Sequence, residues 1–448
     1  MYVTEAQLAA SDGSSLVGFF QTGMGAVVRS VEDRLRDAVL ATDYGADPTG
    51  GMDSTTALQD ALATGRNVVF PDGNYRCQGI EVDTDYQCLI GLGKVQIIKN
   101  ANGTLIELKK RGNKCIGITF DGEGTTYSGD NIVCSGDEAQ FVGCDSLDAR
   151  YRALKGSGTA TAVFGGLWQV STAYASAGYE FEFDGSGNQY NVLIGIGTSQ
   201  PSGGILVSGG ASLAVSDSQF GKLATRTDGG IRCTGNRIGG AVTIYGSFAS
   251  FDGNNFADTS ITIGDGTNGI SGIRWGPTNI VANDTNFTIS ALVSRSSFYL
   301  HQVYGTQGAT VTINSRDNAI WHPRIAFTPQ FLASGSPSVG SGSRIGFYSR
   351  AGYDVFVDFR IAFGTGMNFG SGNARVQLPF ASVARVIGRA FADVAGTHYN
   401  LLLNIGASDD DAYIQLNQST VTPATGSVPG PWASGSYIEG SIAYTAAP

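Results

Sequence analysis

Histidine, proline and charge are all scarce in this 448-residue chain, and each shortage closes off a class of protein. Only His301, His322 and His398 offer imidazoles, none in a zinc-type spacing, so no metal centre of that kind is expected. Pro numbers 12 against 64 Gly, so turns rely on residues that accept positive φ rather than on rigid kinks. Charged residues make up 15% and no Lys/Arg run stands out. With 28 basic and 38 acidic residues the net charge is -10, which argues against nucleic acid or an anionic membrane surface as partner. No apolar run approaches the ~20 residues of a membrane span, and no basic-then-apolar leader opens the chain, so neither membrane insertion nor Sec-type export is expected. Cys77, Cys88, Cys115, Cys134, Cys144 and Cys233 show no CxxC and no pairing rhythm, as expected of buried thiols made in a reducing compartment. GxSxG, HExxH, P-loop and dinucleotide fingerprints are missing from any usable context, and no cofactor is expected.

What the chain does have is a repeat. Val215 with Phe220, Cys233 with Ile238, and Phe251 with Phe256 are apolar pairs five apart that step by 18 (233 minus 215, 251 minus 233), and Trp275 with Ile280 follows after 24. A period near 20 residues filled with Gly, Ser, Thr, Asn and Asp suits a stacked β-coil, in which each winding turns corners and buries few side chains. Asn254 is expected to be one step of a side-chain amide ladder. A hydrophobic content of 42% is ample for such a core.

Before the coils, Val28, Val31, Leu35 and Val39 form one narrow stripe at helical spacing. It fits a self-association seam, or equally a surface helix lying on the next domain. A short helix over residues 53–64, started by Asp53 and facing inward through Ala57, Leu58, Ala61 and Leu62, is expected to cap the open end of the solenoid. Asn67 to Phe70 and Tyr75 to Cys77 flank the turn Pro71-Asp72-Gly73-Asn74 as strands.

The run Ser14-Ser15-Leu16-Val17-Gly18-Phe19, then Val28 to Arg36, Asp43-Tyr44-Gly45-Ala46-Asp47 and Asp53-Ser54-Thr55-Thr56-Ala57-Leu58-Gln59, resembles the opening of the pectate-lyase-like β-helix of bacteriophage tailspikes. The likeness covers roughly residues 14–76. It implies a right-handed parallel β-helix, a homotrimeric spike on the virion tail synthesised in the bacterial host cytoplasm, and binding or cleavage of a host surface polysaccharide. Few residues precede this block, so attachment to the tail is expected through a short peptide or a separate adaptor protein.

The expected organisation is an attachment segment with a helix over residues 1–40, a capped β-helix over 41–331, a linker over 332–343 (LASGSPSVGSGS) and a C-terminal β-sandwich of the jelly-roll kind over 344–448. In the last, Val355, Val357, Phe359, Ile361 and Phe363 alternate with Asp354, Asp358 and Arg360. Its pattern resembles the small C-terminal domains of phage tail fibres, whose roles are trimerisation and sugar binding. Between Arg150 and Tyr190 the rhythm fails and aromatics crowd in, which reads as an insertion on the binding face or as a few wide coils.

Chemistry is sought first in Tyr179-Glu180-Phe181-Glu182-Phe183-Asp184. On a strand, the aromatics would face one way and Glu180, Glu182 and Asp184 the other, with neighbouring carboxylates ~6.5 to 7 Å apart. Inverting glycosidases need roughly 6.5 to 9.5 Å, so Glu180 with Glu182, or Glu182 with Asp184, is admissible, with Glu182 the better acid candidate and Glu180 the base. A solvated acidic face, or a Ca²⁺ site, would look the same. Trp168 and Tyr174 are taken as sugar-stacking platforms, with ordinary packing as the alternative. Asp217, Asp228, Asp252 and Asp258 sit in or between coils, where two on adjacent coils could face one another across ~4.8 Å, close to the spacing of retaining chemistry, although turn chemistry explains most of them. A lyase would instead need a base and cations such as Arg226, Arg232 and Arg237. The reading is a tailspike that recognises capsule or lipopolysaccharide and cleaves it through two carboxylates, with a purely receptor-binding fibre or a polysaccharide lyase as alternatives.

Overall fold

The computed structural model describes residues 3–446 apart from 171–178, 186–188, 199–202, 227, 258–259, 283–284, 301–309, 314–317, 417–421 and 426–431. The chain forms two units, one of Met1–Ala249 with Gly253–Ser260, the other of Ser250–Asp252 with Ile261–Pro448.

The first unit begins with small elements that bury almost nothing. Thr4 caps a helix at Glu5–Leu8, strands Gly18–Phe20 and Val28–Ser30 pair antiparallel, and Ser30 caps a helix at Val31–Leu35 by accepting from the Asp33 amide at 3.0 Å. The long stripe expected from Val28 to Val39 is therefore broken. The Ser30 cap starts the helix after Val28, and Val39 belongs to strand Ala38–Leu40, which pairs parallel with Asn67–Val69. The helix expected over residues 53–64 is present as Thr55–Ala63, with Leu58, Ala61 and Leu62 buried and Asp53 Oδ1 accepting from the Thr55 amide at 2.9 Å.

Beyond it the chain winds as a solenoid. Ile80–Val82, Ile106–Leu108, Ile132–Cys134, Leu154–Gly156, Phe181–Asp184, Gly204–Ser208, Lys222–Thr225 and Val242–Ile244 pair parallel in succession. A second parallel sheet runs through Cys88–Lys99, Lys114–Asp121, Ala139–Val142, Thr161–Phe164, Gln189–Ile194, Ala211–Ser216 and Gly230–Thr234. The repeat seen in the sequence is this stacking: Val215 lies against Cys233, and Phe220 against Ile238 against Phe256. Gly195, Asp217, Gly235 and Gly253 turn one corner with φ between 50° and 69°. Asp217 takes the left-handed conformation there because a short polar side chain tolerates it.

Inside that corner the expected amide ladder is formed. The Ser218 amide donates to Asn236 Oδ1 at 3.0 Å, and Asn236 Nδ2 donates to Val215 O at 2.9 Å and to Asn254 Oδ1 at 3.0 Å. Asn254 Nδ2 continues to Cys233 O at 3.0 Å. Cys77, Cys115, Cys134, Cys144 and Cys233 are buried free thiols, and burial pushes the Cys144 thiol up to about 11. Between Arg150 and Tyr190 the described strands Leu154–Gly156, Thr161–Phe164, Trp168–Val170 and Phe181–Asp184 pair parallel with strands of neighbouring windings.

The second unit continues with parallel windings, Ser250–Asp252 against Arg274–Trp275 against Ser296–Tyr299. The fourth apolar pair shifts by one: Ile280 is exposed and Val281 takes the inward place, because Asn279 is itself buried and donates to Phe251 O and Gly276 O. An antiparallel β-sandwich follows, its strands hydrogen-bonded in the order Asn318–Phe327, Ser343–Gly352, Asp354–Ala362, Tyr437–Thr445, Val386–Val394, Thr397–Ile405, Asp411–Leu416, Ser371–Gln377, Gln330–Ser334. Val355, Val357, Phe359 and Ile361 point into one core with Leu403, Ile414 and Ile438. The stretch read as a linker is not free. Leu332 and Ser334 pair with Arg375 and Ser371, and Ser338 bridges to Asn368, since small residues let the strand turn sharply without leaving the sheet.

Candidate functional site

The three carboxylates singled out by sequence do not share a face. Phe181 and Phe183 point inward and Glu182 and Asp184 outward, as the two-residue period of strand Phe181–Asp184 requires. Glu180 precedes the strand in a bend, so the alternation does not reach it, and its side chain is fully buried. A Cβ on Gly203 would fall 1.5 Å from Glu180 Oε1, which shows how closely that glycine closes over the carboxyl. Among the described residues neither Glu180 oxygen has a hydrogen-bond partner. Burial pushes the carboxyl up to about 8 against the pull of the nearby Lys222 ammonium, which sits 4.4 Å over the Tyr179 ring. The same burial lowers Lys222, whose charge Glu180 favours.

The outward pair is already partnered. Arg152 Nε lies 3.1 Å from Glu182 Oε2 and 3.5 Å from Asp130 Oδ1, and Lys155 Nζ lies 3.5 Å from Asp184 Oδ2. The stripe expected to act as acid and base is an ion-pair ladder across three windings, with one would-be member walled off inside. Trp168 is likewise core rather than platform: it is buried, edge-on to Phe141 at 5.8 Å and tilted on Phe181 at 5.2 Å, with Nε1 donating to Gly165 O at 3.1 Å. Tyr174 lies outside the described residues.

A groove of about 570 Å³ opens elsewhere on the first unit, on the outer side of the sheet through Gln189–Ile194, Ala211–Ser216 and Gly230–Thr234. Tyr190, Ser212 and Gly230 stack in register on successive windings, and Phe248 follows on the next. Small residues between two large ones make the hollow. Tyr190 is 72% exposed and Phe248 77%, one at each end. Tyr190 and Gly230 are two winding steps of ~4.8 Å apart and Phe248 lies on the winding after, a span suited to an oligosaccharide rather than a single sugar. Asp228 and Arg232 edge the groove, and Val192, Leu213, Ala214 and Ile231 are among its other lining residues. Phe248 has φ +63°, a conformation that a bulky side chain adopts only at a cost in strain.

Two exposed aromatic faces offer stacking surface to the C–H faces of sugars, and a carboxylate and a guanidinium between them offer directional partners for hydroxyls. Sequence reasoning picks out Tyr190, Asp228 and Arg232 separately and misses Phe248. The signal lies in the 18-residue step from Gly230 to Phe248, visible once outward as well as inward positions are aligned. In the second unit a concavity of about 490 Å³ lies over Phe347 and Phe391, but its charges largely satisfy one another: Arg324 faces Asp358 at 3.7 Å and Arg360 faces Glu439 at 3.1 Å.

No protein-family profile matches the sequence, and no curated protein is significantly similar to it. Solved structures are similar. The crystal structure of the Dettilon tailspike protein (gp208) superposes with a TM-score of 0.55 at 12% identity, covering 93% of this chain and 96% of that one. The chain has the fold of a phage tailspike. The tailspike protein of the E. coli bacteriophage HK620, solved in complex with a pentasaccharide, aligns over 98% of this chain and 99% of its own at 9% identity, with a TM-score of 0.48. In the tailspike fold seen here, the groove lies on the solenoid, on the outer side of a parallel sheet.

Proposed function

We propose that this protein is a phage tail component that recognises a host surface polysaccharide, capsule or lipopolysaccharide, in the groove between Tyr190 and Phe248, and that it works as a homotrimer held to the tail or an adaptor by its N-terminal segment. The observation that carries the reading is the pairing of two exposed aromatics, one on a strained backbone, across a hollow floored by Ser212 and Gly230. The strain at Phe248 is not repaid by packing of its exposed ring, which favours a role in contact with a ligand.

Binding without cleavage is the form of this function that the geometry supports best. Glu182 and Asp184 are neutralised by Arg152 and Lys155, and Glu180 is enclosed beneath Gly203. Hydrolysis by Glu180 with Glu182 would first have to uncover one and unpair the other. An array of bacterial O-antigen and capsular oligosaccharides tests both points together. Retention of a glycan that emerges at its original length is expected. Shortened products would install the depolymerase reading in its place, and the absence of any glycan retained by the wild type but lost in Tyr190→Ala would remove the groove from the function.

A further inference from the structure

Charge on the solenoid changes character where the groove begins. On the earlier windings Lys109, Lys110, Arg111, Arg152 and Lys155 are each held against a carboxylate, that of Glu81, Asp83, Glu138, Glu182 and Asp184 in turn. From Gln189 to Phe248 the balance turns over: Lys222, Arg226, Arg232 and Arg237 stand against Asp217 and Asp228, in a chain whose net charge is -10. Among the described residues none of these forms an ion pair. Lys222 is turned to the Tyr179 ring, and Arg237 lies on a different sheet, in register with Gln219 and Asn255. Arg232 is the guanidinium that lines the groove. It faces out from Gly230–Thr234 between the buried Ile231 and Cys233, and its register partners on the two preceding windings are Ala214 and Val192. Nothing in that floor of small and apolar residues answers its charge. Asp228 sits in the turn ahead of the strand, together with Arg226, whose carbonyl accepts from the Gly229 amide at 3.0 Å. The groove and its turn thus hold two guanidiniums against one carboxylate.

We infer that the polysaccharide read by this groove is acidic, and that Arg232 selects it by taking a carboxylate or a phosphate of the repeating unit in a bidentate pair; this rests on the glycan-binding function proposed above. The cost of covering a charge decides between an acidic and a neutral chain. Sugar rings laid from Tyr190 to Phe248 pass over Gly230, two residues and ~6.6 Å along the strand from Arg232, and strip water from the guanidinium. A neutral sugar offers hydroxyl dipoles in exchange. A carboxylate or phosphate offers charge-assisted hydrogen bonds, roughly twice as strong, and its paired oxygens match the parallel N–H donors of the planar guanidinium. The remaining donors stay available to a ring hydroxyl. Asp228, at the other edge, accepts from hydroxyls and repels a misplaced anion, so the charged group of each repeat is held in register with Arg232. Over the molecule as a whole the excess of acidic residues repels a polyanion, and the local surplus of positive charge brings it to this face.

The full chain is applied to an array of bacterial capsular and O-antigen oligosaccharides on which every acidic member is also present with its carboxylates reduced to alcohols, and with its phosphate substituents removed. The glycans retained by the wild type are expected to be acidic, and one of the two treatments to weaken retention about 10- to 100-fold: carboxyl reduction where the anion is a carboxylate, dephosphorylation where it is a phosphate. Arg232→Gln is expected to erase the difference between the untreated and the neutralised glycan, and Arg232→Lys, which keeps the charge without the fork, to keep part of it. An unfolding midpoint equal to the wild type's shows that these variants are folded, as the exposed position of Arg232 requires. Neutral glycans retained as firmly as acidic ones, or a preference for acid that survives in Arg232→Gln, would overturn the inference alone, provided that Tyr190→Ala abolishes retention. If Tyr190→Ala holds every glycan that the wild type holds, the groove is not the binding site and the inference falls with it.

Discussion

Phe248 combines φ +63° with a ring that is largely in water, so its backbone strain is not repaid by packing. Glycine relieves that strain. Phe248→Gly is expected to raise stability by up to about 1 kcal/mol in urea unfolding while weakening glycan binding about 5- to 10-fold, the loss of one stacking face. A stabilised variant with undiminished binding would mean the strain serves something else. Glu180 makes the complementary prediction. Its carboxyl titrates near 8 in the fold against 4.5 when free, so the folded state holds an extra proton between those values. Stability attached to this group is full below about pH 4.5 and is lost as pH rises to about 8. Glu180→Gln should therefore gain over the wild type as pH rises across this window, by on the order of a few kcal/mol above pH 8, read as the difference in Tm-versus-pH curves. Lys99, lowered to about 8 by burial, acts with the opposite sign between 8 and 10.5 and does not confuse the comparison. Sequence alone misplaces Glu180 because alternation holds only inside a strand, and where Phe181–Asp184 begins is not written in the residues themselves.

Among elements, the inward repeat is fully legible and the outward one is not. Val215, Cys233, Phe220 and Ile238 are apolar because they fill the core, and a fixed period shows them at once. Tyr190, Ser212 and Gly230 share a column as regular, with Phe248 in the bend of the next winding, but nothing in their chemistry is alike, since a hollow is made by differences in size. Gly230 tests that hollow. A Cβ there would meet only Ser212 Oγ at 3.4 Å and carbonyls at 3.9 and 4.0 Å, so Gly230→Leu should fold normally, fill the groove and abolish glycan binding. The Asn ladder is the elemental stabiliser. Asn236→Ala would leave Val215 O and the Ser218 amide without their partner inside the corner, costing about 2 to 4 kcal/mol in urea unfolding, whereas a loss under ~1 kcal/mol would show that the ladder only decorates the turn.

At the scale of the whole molecule, composition already excludes most alternatives: little charge, abundant Gly and a period near 20 leave few architectures besides a solenoid. The sandwich strand Asp354–Ala362 is readable for the same reason, an alternation of Val355, Val357, Phe359 and Ile361 with polar neighbours. The segment around Ser338 is not, because Gly and Ser signal both a free linker and a tight turn within a sheet. The groove from Tyr190 to Phe248 lies on the later windings of the first unit, beyond those whose outward faces are taken up by the ion pairs of Glu182 and Asp184. A crystal structure with an oligosaccharide cut from a recognised polysaccharide tests this most directly. Sugar rings should lie over Tyr190 and Phe248 with hydroxyls turned to Asp228 and Arg232, while a ligand found only in the Arg324–Phe347 concavity, or on the ion-pair stripe of Glu182 and Asp184, would contradict it.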